Sequence, residues 1–109
     1  MAKTIYNKLV RDNIPEIMKA DNSEPTIRTL DDEEFIVELL KKIKEESEEL
    51  IQAKGNKLEM QKEIGDIYEV IDAIIDYYNL DKEAIIKLKQ ERKIKRGGFA
   101  KKVFLQSAE

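Results

Sequence analysis

The chain has 109 residues, 23 acids against 20 bases, and neither Cys nor His. That length reads as one small domain over residues 1–109, with a limited core that oligomerisation commonly completes. The composition excludes disulfide, thiolate and imidazole chemistry, and no apolar run approaches the ~18 residues of a membrane span.

The opening MAKTIYNKLVRD lacks the apolar stretch of a signal peptide. Zero Cys fits a cytoplasmic protein, which is the expected location. Residues 1–30 read as largely irregular. Asn13 or Ile14 opens a short helix with Pro15 in its first turn, where the missing N–H is tolerated. Asp21-Asn22-Ser23-Glu24-Pro25 is a turn cluster. Thr26–Leu30 alternates and is rich in β-branched residues, which predicts a short strand.

Asp31 is an N-cap signal, with Glu34 three residues later as in a capping box. The helix it opens is expected to run to about Ala53, before Gly55-Asn56 stops it. A second helix fits Lys57 to Tyr78. Asn79-Leu80-Asp81 breaks the pattern, and Asp81 caps a third helix to about Arg96. Lys93, Lys95 and Arg96 in its last turn suit the negative end of the helix dipole. Gly97-Gly98 ends it, and Phe99–Leu105 reads as extended. The expected fold class is all-α: two long antiparallel helices plus a third, with short irregular or extended terminal segments.

The net charge of −3 conceals an asymmetry. Residues 31–83 carry 17 acids and 7 bases, a net of −10, whereas residues 84–102 carry 8 bases and 1 acid, a net of +7. Such a chain can hold a cation and a polyphosphate side by side, although solvated helix faces account for the same charges.

Laid on a wheel at ~100° per residue, Phe35, Ile36, Leu39, Leu40, Ile43 and Leu50 form one face of the first long helix. Glu46 falls inside that face and Glu49 at its edge, with Glu45 further round. On the second helix Met60, Ile64, Ile67, Ile71, Ile74 and Tyr78 make the expected core stripe. Glu63 and Asp66 border it, while Glu69, Asp72 and Asp76 share the opposite, polar face. Val70, Ala73 and Tyr77 widen the apolar arc, which points to at least a homodimer.

Glu46/Glu49 and Glu63/Asp66 each have i, i+3 spacing, so each pair projects from one helix face. The short turn at Gly55 makes the two helices antiparallel neighbours, and the pairs can face each other. A buried, unpaired carboxylate needs a partner, a proton or a metal. Carboxylates without nitrogen or sulfur ligands suit a hard ion such as Mg²⁺, with Mn²⁺ as a substitute. Metal-dependent phosphate chemistry is therefore the leading expectation. No Ser, Cys or His nucleophile with a base is evident, so water is the attacker. A di-iron bundle is disfavoured, because its Glu-x-x-His pairs need His. A non-enzymatic dimerisation or regulatory module with an inert acidic face is the alternative. Nucleic-acid binding is not expected, given the negative net charge and the lack of interleaved aromatic and basic residues.

Glu45-Glu46-x-x-Glu49, followed by Glu63-x-x-Asp66, resembles the metal-binding signature of the MazG-like all-α nucleoside triphosphate pyrophosphohydrolases. Tyr6-Asn7-Lys8-Leu9-Val10-Arg11-Asp12 with Ile14-Pro15, and Arg96-Gly97-Gly98-Phe99, resemble the opening and closing motifs of a small subgroup. The resemblance covers nearly the whole chain. It implies a MazG-like helical bundle completed by a second subunit, as a homodimer or homotetramer. It also implies Mg²⁺-dependent hydrolysis of an NTP or dNTP to the monophosphate and pyrophosphate, a nucleotide-pool house-cleaning role. Glu46, Glu49, Glu63 and Asp66 match the metal ligands, and Glu45 matches an acid that holds a ligand or orients water. Lys8, Arg11 and Arg96 become candidate phosphate contacts through the terminal motifs, and Lys93 through charge and position alone. Histidine-pathway pyrophosphohydrolases share a similar helical core, so a phosphoribosyl-ATP-type substrate is a second possibility.

Overall fold

The computed structural model describes residues 3–109. Those residues are all-α, with four helices and no strand among them: α1 (Ile14–Ala20), α2 (Asp32–Gln52), α3 (Lys57–Tyr78) and α4 (Lys82–Arg96). The chain divides into two compact units, one extending to Tyr78 and the other Asn79–Glu109. No helix among the described residues is long and apolar enough to cross a membrane.

In the first unit each boundary has a local cause. Pro15 sits in the first turn of α1, where its missing N–H leaves no helical bond unmade. Asp31 caps α2 by accepting from the Glu34 N–H at 2.8 Å. The expected capping box forms only in that half, because the Glu34 carboxylate turns to the Arg28 guanidinium in a two-pronged ion pair. That pairing holds the Glu34 carboxyl below the usual carboxylate range. The same Arg28 lies within Thr26–Leu30, which is irregular rather than the short strand its alternation predicts. A lone five-residue segment with no neighbouring strand has nothing to satisfy its backbone groups as a ladder would.

Gly55 adopts φ 89°, the left-handed region that ends α2's chain direction. Asn56 then caps α3, accepting from Glu59 N–H at 3.1 Å. The turn is short, so α2 and α3 pack as an antiparallel hairpin. At one end the Phe35 and Tyr77 rings lie 5.7 Å apart, and Tyr77 donates to the Asp32 carbonyl at 3.3 Å.

The buried seam is narrower than the wheel implies. Leu39 (4% exposed) and Val70 (8%) are the buried apolar side chains among the described residues. On α3 the sequence stripe through Ile64, Ile71 and Tyr78 is corrected: those three are exposed, while Met60, Ile67, Ala73 and Ile74 are half-buried around Val70. The helix is rotated toward Val70, which brings Glu63 into line with the seam. On α2, Leu40 likewise lies outside the contact and is exposed. The cause is the partner count. A helix pair can cover only one arc of each helix, and these sequences are apolar over more than one.

In the second unit Asn79 takes φ 51° and ends α3. Asp81 caps α4, accepting from Glu83 and Ala84 N–H at 3.0 and 3.2 Å. Lys93, Lys95 and Arg96 occupy its last turn. Gly97, at φ 83°, donates its N–H to the Lys93 carbonyl at 2.8 Å and closes the helix.

Candidate functional site

Midway along the hairpin, α2 turns Glu46 into the seam between the two helices, where it is 8% exposed. α3 answers with Glu63 and Asp66, both half-buried. One carboxylate oxygen from each of Glu46, Glu63 and Asp66 lies within 4.8 Å of the other two. Glu46 Oε2 and Glu63 Oε2 are buried with no hydrogen-bond partner. Such orphaned oxygens are rare in native proteins, since each forfeits its hydration without replacement, at ~1–3 kcal/mol or more.

Electrostatics sharpen the picture. Burial, then the neighbouring carboxyl of Glu49 and the charge of Asp66, push the Glu46 carboxyl up to about 7, against a smaller opposing pull from Lys42. Glu63 is raised for the same reasons, burial first and Glu49 next. Glu49 therefore adjoins both Glu46 and Glu63, while the three acids that converge on one point are Glu46, Glu63 and Asp66.

Glu45 has a different environment. Lys8 Nζ donates to its Oε1 at 2.9 Å and Lys42 Nζ to its Oε2 at 3.1 Å. Burial pushes this carboxyl up, but the two lysines outweigh burial and hold it below the usual range. Lys8, bonded to Glu45, is raised in turn. Glu45 is thus an ionised, doubly held acid beside the cluster. Lys42, only 15% exposed, also stands 3.8 Å from Glu46 Oε1. The sequence reading missed Lys42, although its i, i+3 and i, i+4 spacing to Glu45 and Glu46 carried the signal.

The N-terminal segment contributes a second cation. Arg11 reaches Asp66 Oδ1 at 2.8 Å. Asn7, in the left-handed region at φ 44°, turns the chain just ahead of Lys8, and Leu9 and Val10 are half-buried between the two cations. Two residues far apart from the acids in sequence are thereby brought to them. Beside Glu45 a shallow groove is lined by Asn7, Lys8, Lys41 and Lys44 together with Glu38 and Glu48. Lys93 and Arg96 belong to the second unit, at the end of α4.

An all-oxygen donor set with two unsatisfied buried oxygens fits a hard divalent cation. The polar face of α3 offers a control. Glu69 is exposed, so Glu69→Ala should change activity and melting temperature by no more than a surface substitution does, ~0.5 kcal/mol in stability. Asp72, also expected on that face, is half-buried and interacts with a neighbour, which makes it the poorer control.

No protein-family model and no solved structure matches the chain. A stretch of 43 residues is 49% identical to an uncharacterized protein of Mycolicibacterium smegmatis, covering 39% of this chain and 44% of that protein. The match thus spans less than half the length of either.

Proposed function

We propose that this chain is a Mg²⁺-dependent nucleoside triphosphate pyrophosphohydrolase of MazG-like type, releasing pyrophosphate and a nucleoside monophosphate. The observation that carries the reading is the pair of buried, partnerless oxygens, Glu46 Oε2 and Glu63 Oε2, in a cluster with Asp66. Left unfilled, that arrangement is a standing electrostatic penalty. Three acids converging on one point, with a fourth adjoining, would hold the ion: Glu46, Glu63, Asp66 and Glu49. When bound, Mg²⁺ would screen the triphosphate and polarise its phosphoryl oxygens.

The chain's own groups have distinct tasks. Glu45, ionised and fixed by Lys8 and Lys42, is suited to orient water by accepting its hydrogen bond. Water attacks the α-phosphorus, the bond from that phosphorus to the pyrophosphate oxygen breaks, and the proton passes to a carboxylate. Arg11 at the cluster and Lys8 beside it, still bonded to Glu45, would stabilise charge on the phosphates. Lys93 and Arg96 are assigned the same task on sequence grounds.

The decisive experiment is pyrophosphate release from a panel of standard and modified NTPs and dNTPs and phosphoribosyl-ATP, with Mg²⁺ and with EDTA. Release that requires Mg²⁺ is expected, and the panel ranks the bases. One observation favours a second reading. A Glu46 that titrates at about 7 can stay neutral by holding a proton, as a non-enzymatic helical module would need. That module would gain no stability from Mg²⁺.

The apolar residues left exposed on the hairpin support self-association. Val37, Leu40 and Ile51 on α2 and Ile64, Tyr68, Ile71 and Tyr78 on α3 are exposed, more large apolar side chains than a hairpin of this length covers by itself. Light scattering at micromolar concentration should report a homodimer or homotetramer. A monomer there would refute the assembly.

A further inference from the structure

Three cations approach the acids, and they are bound differently. Lys8 and Lys42 both clamp Glu45, which stands outside the convergent trio. Arg11 instead pairs with Asp66, a member of that trio, through a single contact at 2.8 Å with the two side chains 57% and 41% exposed. An exposed, single-pronged ion pair is weak, because water and salt screen it. The other two members of the trio present buried oxygens without partners. A cation entering the cluster therefore meets two carboxylates that each offer one buried, unpartnered oxygen, Glu46 having Lys42 3.8 Å from its other oxygen, and a third carboxylate that is lightly held.

We propose that Arg11 is a displaceable counter-ion: it neutralises Asp66 until a divalent cation takes that carboxylate, and then turns its guanidinium to the anion that arrives with the cation. The inference rests on the metal-site reading above and deepens it. Exchange replaces the single positive charge of Arg11 by the two of the cation, so Asp66 is never left without a counter-charge. It also makes the phosphate-binding form of Arg11 conditional on the metal. The planar guanidinium suits this double role, since the same fork that meets a carboxylate meets a phosphate. Lys8 does not take part. Its partner lies outside the trio, so it stays on Glu45 and, with half-buried Leu9 and Val10, keeps the segment in place while Arg11 swings.

The test uses the full chain, Mg²⁺ and inorganic pyrophosphate. Arg11→Gln removes the competitor, so calorimetry should show Mg²⁺ binding tightened roughly two- to fivefold, the worth of an exposed ion pair. The same variant should bind pyrophosphate more weakly in the presence of Mg²⁺. Opposite movements in one variant are the signature, because a merely structural role would shift both affinities the same way or neither. Arg11→Lys, which keeps the charge, should retain the native Mg²⁺ affinity. Lys8→Gln should alter it less than Arg11→Gln does. In parallel, the four arginines give four resolvable Nε–H signals by NMR, and that of Arg11 should move on Mg²⁺ addition. If Mg²⁺ binds the native chain but leaves the Arg11 signal in place, and Arg11→Gln binds Mg²⁺ no more tightly, the counter-ion role is overturned and the metal site stands. If Mg²⁺ binds neither protein, both readings fall.

Discussion

Glu46→Gln should abolish most Mg²⁺-dependent pyrophosphate release while making the ion-free protein more stable at pH 8. Both effects come from one carboxylate. It is 8% exposed, has one oxygen without a partner, and converges with Glu63 and Asp66. As a ligand its loss should exceed the 10- to 100-fold that outer-shell partners of metals typically cost, so a fall of at least roughly a hundredfold is expected. As a buried charge it opposes folding. Its carboxyl is pushed up to about 7, so at pH 8 it is ionised in a place that disfavours ionisation. Replacing it by a neutral amide of the same shape should raise stability by on the order of 2 kcal/mol without Mg²⁺. Activity assays and thermal melts in EDTA read the two arms separately. Sites built for function commonly carry such a trade. Full turnover in Glu46→Gln would remove Glu46 from the site, and Glu63→Ala repeats the test from the other helix.

Stability without metal should fall, not rise, as pH goes from about 4.5 to about 7. Glu46 has an ordinary value of 4.5 and is raised to about 7 in the fold, and Glu63 is raised in the same direction. Between those limits the folded chain binds more protons than the unfolded one. The contribution of Glu46 is therefore fully present below 4.5 and lost as pH rises through 7. Glu34 and Glu45, held low by their cations, pull the other way at more acidic pH. Mg²⁺ competes with the same protons, so its stabilisation should be small at pH 5 and grow toward pH 8. At tenfold excess over its Kd the ion should add ~1.4 kcal/mol, or about 5–10 °C in Tm for a chain of this size. Melting curves at pH 5, 6, 7 and 8 with Mg²⁺ and with EDTA give the whole surface. Curves that coincide at pH 8 would mean that Mg²⁺ does not enter the cluster.

The helix boundaries were legible because local chemistry sets them. Asp31, Asn56, Asp81, Gly55 and Gly97 each act within a turn of their own position, through caps and backbone preferences that a sequence carries openly. Periodicity also put Glu46 on an apolar face, which is where it lies. The phase of α3 was not legible to better than about a residue. Ile64 and Ile71 are as apolar as Ile67 and Ile74, and only the position of α2 decides which pair is covered. The strand expected at Thr26–Leu30 failed for the converse reason: its residues suit a sheet, but no second strand exists among the described residues. That Lys8 and Arg11 sit against Glu45 and Asp66 depends on chain path over 37 and 55 residues, which no local pattern encodes. Nor does charge counting separate Glu45, doubly clamped, from Glu46 one residue on.

The turn at Gly55 also bears on how the protein folds. Glu46 and Glu63 lie on either side of it, 17 residues apart, so the acids meet when the hairpin first closes rather than after the termini have docked. Local closures of this size are among the fastest events in folding, yet here the closing contact brings like charges into a partly buried seam. Local closure and electrostatic preference thus conflict at this contact. Refolding should be slowest in EDTA at pH 8 and faster at pH 5 or with Mg²⁺, where a proton or a cation removes the repulsion before the helices touch.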